Sequence, residues 1–91
     1  MEKSFRMKAL TPSGVIYEGD VVSVMVPGEV GYLEVLAGHA QLISTLKRGE
    51  IRIRPASGEA VKFKSSGSGF IRVSRDGAEI ILDEAAIVQP V

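Results

Sequence analysis

The only histidine of this 91-residue chain, His39, lies in the segment best suited to chemistry or recognition, residues 26–40. The same segment holds four turn-forming residues between two apolar runs: Pro27, Gly28, Gly31 and Gly38. Loops held by a rigid scaffold are where binding and catalytic side chains concentrate. A catalytic triad, however, needs a nucleophile and an orienting acid beside the histidine, and zinc needs three or four ligands. A lone histidine therefore favours a structural or interface role for His39.

The residues around His39 do not complete a catalytic site. Ser44 and Thr45 follow it, but nothing in the sequence marks either hydroxyl as an activated nucleophile. Glu29 and Glu34 form a pair of carboxylates, and such pairs do acid–base work only where their surroundings separate their pKa values. We interpret both as solvated loop residues.

A glycine-rich segment, Gly67 to Arg72, begins like a dinucleotide-binding fingerprint. Arg72 stands where that motif needs its third glycine, and the segment leads into a strand rather than a helix. The chain has no cysteine, which excludes disulfides and thiolate metal sites. We therefore expect no catalytic residue, no metal and no cofactor.

Two neighbouring segments carry basic residues at alternate positions, Arg52 and Arg54, then Lys62 and Lys64. Basic side chains beside exposed aromatic rings are typical of barrels that bind single-stranded nucleic acid. Phe63, however, falls on the opposite face from both lysines, and 11 basic residues are balanced by 11 acidic ones. The solvated face of a sheet is the favoured interpretation. A free-standing β-barrel that binds single-stranded nucleic acid stays open as the alternative.

The elements that would position these residues are strands. Turn-forming residues recur roughly every 8–12 residues, which is typical of a small antiparallel β-sandwich or barrel, an all-β fold. Residues 55–60 predict a hairpin loop between two alternating runs, and Asp76-Gly77 predicts another, because both positions tolerate a positive φ. The tail, residues 83–91, could begin a helical turn that Pro90 ends.

The composition is ordinary for a globular protein, with 45% hydrophobic and 24% charged residues. No linker or internal repeat divides the chain, so the sequence predicts one domain, residues 1–91. No stretch approaches the ~18 apolar residues that a membrane span requires.

Several motifs then appear in an order that resembles a known family. Thr11-Pro-Ser-Gly14 matches a family opening of Thr-Pro-x-Gly, and Gly38-His39-Ala40 matches the centre of Pro-Gly-His-Ala-Pro-Leu. The run from Leu46 to Ile51 matches Leu-Lys-x-Gly-x-Ile, and Gly67 to Phe70 is similar to Ser-Gly-Gly-Phe. From about Phe5 to Ile87, the chain resembles the epsilon subunit of F-type ATP synthase.

Three positions depart from that family pattern. Ala37 and Gln41 replace the prolines around Gly38-His39-Ala40, and Glu34 stands where glycine is common. Because glutamate does not readily take a positive φ, we expect a change in the shape of this loop.

The resemblance implies a β-sandwich of about ten strands in two sheets. It also implies a non-catalytic subunit of the central stalk, one copy per complex. Such a subunit binds the gamma subunit, rests on the membrane c ring and couples proton flow to ATP synthesis. The expected location is peripheral, on the cytoplasmic face of the bacterial inner membrane or its organelle equivalent, with no direct insertion into the membrane. In isolation we expect a monomer that binds no nucleic acid.

By the same resemblance, the segment 28–32 corresponds to the loop that contacts the ring. The residues we expect at this contact are Gly28, Glu29, Val30, Gly31, Tyr32 and His39. Tyr32 occupies a position that is acidic in some members. Many members also carry a helical hairpin after the sandwich, and this sequence, which stops at Val91, has no counterpart of it. If the chain is complete, we expect it to lack that inhibitory arm and its nucleotide site.

Overall fold

The computed structural model describes residues 3–88, and within that range it contains nine β-strands and no helix. The described residues therefore include no helix that could cross a membrane. The strands are β1 Phe5–Thr11, β2 Gly14–Gly28, β3 Gly31–Leu36, β4 Leu42–Leu46, β5 Gly49–Pro55, β6 Val61–Ser65, β7 Gly69–Ser74, β8 Gly77–Leu82 and β9 Ala85–Val88.

The longest strand, β2, belongs to both sheets of a sandwich. Its first half pairs with β1, and its second half pairs with β3 on one side and β5 on the other. A register shift between Val21 and Ser23 marks the change of sheet, because a bulge bends a strand and increases its twist. The strand orders are β4-β7-β8-β1-β2 and β3-β2-β5-β6-β9. Since β2 is counted twice, nine strands fill the ten places that the resemblance predicts.

The core lies between the two sheets and is built from alternate residues of each strand. Ile51, Ile53 and Phe63 of β5 and β6 are at most 1% exposed, whereas Lys64 is exposed. The Phe63 ring meets the Tyr17 ring edge to face, with 6.1 Å between centroids. Burial of a side chain of this size stabilises the fold by roughly 1.5–3 kcal/mol. The prediction that Phe63 faces away from the two lysines and into the core is confirmed.

Both predicted hairpins are present, but one has a different turn. Residues 55–60 connect β5 to β6 as expected. In the β7–β8 hairpin, Ser74 pairs with Gly77, so Arg75 and Asp76 form the loop. No non-glycine residue in the described range has a positive φ, and Gly77, with φ 143°, takes that conformation. The predicted hairpin is therefore present, but Asp76 does not use the positive φ that it tolerates, and the turn is Arg75-Asp76 rather than Asp76-Gly77.

The helical turn predicted for the tail is also wrong over its described part, because Ala85–Val88 forms β9 and pairs antiparallel with β6. Among the hydrogen bonds that hold the turn before β9, two join side chains: the Ser66 hydroxyl donates to the Glu84 carboxylate and the Ser68 hydroxyl donates to the Asp83 carboxylate. These bonds reverse the chain direction, so that β9 lies beside β6 and pairs with it. Pro90 lies outside the described residues.

Candidate functional site

The segment singled out by the sequence forms the β2–β3 hairpin. Gly28 pairs with Gly31, which leaves Glu29 and Val30 as the turn. Gly31 has φ 140°, a conformation that L side chains rarely adopt. Val30 is fully exposed, at 105% of its reference area. The hairpin therefore projects an uncovered apolar side chain from one end of the sandwich.

Three hydrogen bonds hold the hairpin against its neighbours. The Thr45 hydroxyl donates to Oε1 of Glu29 at 2.9 Å, and the Lys47 backbone N–H donates to the Pro27 carbonyl at 2.8 Å. The Glu50 backbone N–H donates to the Tyr32 hydroxyl oxygen at 3.1 Å. Side chain and backbone of the hairpin are thus both fixed to β4 and to the start of β5.

The position of the Tyr32 hydroxyl depends on the absence of a side chain at Gly49. A Cβ atom on Gly49 would lie 3.0 Å from that hydroxyl and 3.1 Å from Cβ of Pro27. The absence of a side chain at Gly49 lets the Tyr32 ring lie over the start of β5, while 56% of the residue stays exposed. Tyr32 therefore has a positioning role in addition to its exposed surface.

His39 is not close to the hairpin tip. It follows the far end of β3, which spans roughly 17 Å at about 3.3 Å per residue. There the His39 ring nitrogen Nδ1 lies 2.8 Å from the Ala40 carbonyl, so Nδ1 carries the proton and donates. His39 lines an open depression of about 580 Å³ together with Phe5, Leu36 and Arg75. The structure brings together five of the six predicted contact residues, and His39 lies apart from them.

The catalytic alternatives gain no geometric support. The Ser44 hydroxyl donates to the Thr45 carbonyl and the Thr45 hydroxyl to Glu29, so neither is directed to His39. Glu34 lies in β3 opposite Met25, in a regular strand, and it has no positive φ. That its presence changes the loop relative to the family pattern stays a prediction. In residues 3–88, no group of three histidine, cysteine or acidic residues could hold a metal ion.

The outer faces of the two sheets differ in character. On β5 and β6, Glu50 forms ion pairs with both Arg52 and Lys62, at 3.2 and 3.9 Å. Two of the basic residues of this face, Arg52 and Lys62, therefore share one carboxylate. The aromatic ring that would have to accompany them, Phe63, is buried on the other side.

The second outer face carries a row of apolar residues that was not predicted. Cross-strand pairing aligns Val15, Leu10, Ile81 and Phe70, and the row ends at Thr45. Val15 is 51%, Phe70 38% and Ile81 36% exposed. We call this set of four apolar residues the apolar row. Contiguous exposed apolar surface of this kind marks interaction sites.

Beside the apolar row runs a row of charges. Lys8 and Arg6 pair with Glu18, at 3.9 and 3.4 Å, and Arg72 pairs with Glu79. These exposed pairs contribute little stability each, about 0–1 kcal/mol. The charged pairs form a polar border along one side of the apolar row. An apolar centre with a polar rim is typical of docking surfaces.

Comparisons with known proteins agree with this architecture. Residues 4–88 match the family model described as ATP synthase, Delta/Epsilon chain, beta-sandwich domain. A relative named ATP synthase epsilon chain from Dichelobacter nodosus is 37% identical over 86 residues, which are 94% of this chain and 59% of that protein. The chain thus spans about 59% of the length of this relative. An epsilon chain from Chlorobium limicola is 31% identical over 93% of this chain and 96% of its own length.

Among solved structures, a chain of the Euglena gracilis mitochondrial ATP synthase, in an OSCP/F1/c-ring structure, superposes with a TM-score of 0.84 at 21% identity. It covers 92% of this chain and 53% of the other, and at this identity it shows the fold alone. None of these similarities supports the nucleic-acid-binding alternative. With the family model covering nearly all of the sandwich, the chain belongs to the family of the ATP synthase delta/epsilon chain β-sandwich domain.

Proposed function

We propose that this protein is a non-catalytic rotor subunit of the central stalk of a proton-translocating F-type ATP synthase. It links the gamma subunit to the membrane c ring and couples proton flow to ATP synthesis. Its relatives are named ATP synthase epsilon chain, and the solved structures that resemble it include a central stalk/c-ring assembly from Tetrahymena thermophila. We further propose that residues 1–91 form one domain, present in one copy per complex and monomeric alone.

The observation that carries the proposal is the braced hairpin at residues 28–32. A part that transmits torque must keep its contact point fixed relative to the rest of the molecule. Three hydrogen bonds fix this hairpin, while Val30 at its tip is fully exposed. We propose that Gly28, Glu29, Val30, Gly31 and Tyr32 contact the polar loops of the c ring. His39 would reach the same partner only if that partner extended along the whole of β3.

The apolar row supports a second contact, which we assign to the gamma subunit. It lies on a face of the sandwich, whereas the hairpin lies at one end, so two partners can bind together. The location that follows is peripheral, on the cytoplasmic face of the bacterial inner membrane or its organelle equivalent. Neither contact needs nucleic acid or insertion into the bilayer.

The experiment is affinity capture of the tagged chain from mild-detergent membrane extracts, with and without nuclease. We expect the gamma, c, alpha and beta subunits to be recovered and identified by mass spectrometry. Recovery of RNA or DNA without synthase subunits would overturn the proposal.

A variant tests the hairpin itself. Val30→Asp places a charge at the exposed tip, and we expect it to reduce proton-driven ATP synthesis in reconstituted membranes at least fivefold, about 1 kcal/mol of contact energy. Ala56→Asp, which adds the same charge to an exposed position in the β5–β6 loop, should leave synthesis unchanged. Equal activity of the two variants would remove the hairpin from the proposed contact.

A further inference from the structure

The outer edge of β3 has no partner strand in the part of the chain that the structure describes. Among residues 3–88, β3 pairs only with β2, from Gly28–Gly31 to Ser23–Leu36. In an antiparallel ladder, alternate residues direct their backbone N–H and C=O groups away from the partner. The free edge of β3 therefore offers a row of donors and acceptors to another extended chain.

The outer face of β3 carries a charged side chain between two large apolar ones. Tyr32 is 56% and Leu36 47% exposed, and Glu34 lies between them, also exposed. Within residues 3–88, the Glu34 carboxylate makes no hydrogen bond or ion pair. The edge thus presents one unpaired negative charge between two large apolar groups.

Pairing of β3 with a second copy of itself can be worked out from these positions. In a two-fold antiparallel pair centred on residue 34, Tyr32 lies opposite Leu36 and Leu33 lies opposite Val35. Every side chain meets an apolar partner except Glu34, which meets the other Glu34. Like charges directly opposite each other destabilise a strand pair. This single residue therefore decides whether the edge accepts its own copy.

We propose that the β3 edge is a docking edge for an antiparallel strand of a partner protein that carries a basic residue opposite Glu34, between apolar residues. Glu34 selects that strand by charge and prevents the edge from pairing with a second copy. The binding mode is the addition of a strand to a sheet edge, in which the backbone gives affinity and alternate side chains give specificity. It does not depend on the proposed function: the edge shares Tyr32 with the hairpin, but the residue that decides the pairing, Glu34, belongs neither to the proposed c-ring contact nor to the apolar row.

A variant of this chain can serve as the binding partner that tests the proposal. The variant Glu34→Lys has an edge of the required chemistry, a basic residue between Tyr32 and Leu36. We expect wild type alone and Glu34→Lys alone to sediment as monomers, and an equimolar mixture to form a 1:1 pair. The mixture should associate at least about tenfold more tightly than either chain alone. With ¹⁵N-labelled wild type, the amide shifts that change should be those of β3.

Two further variants complete the test. Glu59→Lys makes the same charge change at an exposed residue of the β5–β6 loop, and its mixture with wild type should stay monomeric. Glu34→Thr removes the charge, and it should self-associate where wild type does not. A Glu34→Lys mixture that stays monomeric, or that pairs through another surface, would overturn the proposal, and so would a monomeric Glu34→Thr chain.

Discussion

Removal of the Tyr32 hydroxyl should loosen the hairpin without disturbing its packing. Tyr32→Phe keeps the ring over Gly49 and Pro27 and deletes only the acceptor of the Glu50 N–H, which lies 3.1 Å from the hydroxyl oxygen. A hydrogen bond of this kind contributes about 1 kcal/mol net. Because RT is about 0.59 kcal/mol, the Glu50 amide should exchange with solvent about fivefold faster. Stability in urea should fall by no more than about 1 kcal/mol.

The assay is amide hydrogen exchange followed by NMR, with Tyr17→Phe as the matched control. The Tyr17 hydroxyl makes no hydrogen bond within residues 3–88, so its loss should leave the Glu50 amide unchanged. An equal exchange rate at Glu50 in wild type and Tyr32→Phe would refute the positioning role of Tyr32. The role of Tyr32 would then be limited to its exposed surface.

Two predictions concern the sandwich itself. Gly77→Ala should cost about 2–4 kcal/mol in urea unfolding, because its Cβ would lie 2.3 Å from the Arg6 carbonyl oxygen at φ 143°. Gly58→Ala, at φ 95° with open space around the Cβ, should cost only about 1 kcal/mol, and equal losses would contradict the clash. Burial raises the pKa of Tyr17 above its ordinary value of 10.0. The fold therefore favours the neutral phenol. The resulting contribution to the free energy of unfolding is complete below pH 10 and should be lost as the pH rises through the raised pKa of Tyr17. Thermal unfolding from pH 8 to 11 should show a steeper alkaline decline for wild type than for Tyr17→Phe, and parallel curves would contradict this assignment.

The parts of the fold that the sequence predicts are those set by neighbouring residues. Strict alternation at Ile51–Arg54 and Val61–Lys64 predicts two strands and the inward position of Phe63, because side chains alternate between the faces of a strand. Residues 55–60 likewise predict the hairpin between them. The order of motifs predicts the family, and through it the two-sheet architecture.

The features that could not be predicted depend on pairing between distant segments. The apolar row requires Leu10 to lie beside Ile81, a parallel pairing between β1 and β8 that no local pattern encodes. The tail becomes a strand because β6 has a free edge for it, which overrides the weak helical tendency of residues 83–88. His39 is near the hairpin in sequence, but the length of β3 separates the two. A signal for the apolar row does exist in Ile80-Ile81-Leu82, where an apolar residue occupies the outward position of an otherwise alternating strand.

Thr45 connects the two surfaces that the proposed function requires. Its backbone lies opposite Phe70, at the end of the apolar row, and its hydroxyl donates to Glu29 in the hairpin turn. A load applied to the apolar row would thus reach the hairpin through one residue of β4 rather than through a flexible loop. The Lys47–Pro27 and Glu50–Tyr32 bonds support the same hairpin from the neighbouring chain segment. Because close-packed interiors have low compressibility and transmit strain, the sandwich between these surfaces acts as a stiff body. The exposed Val30 side chain at the tip can then vary in its contact chemistry, while the three bonds behind it keep the geometry of the hairpin fixed.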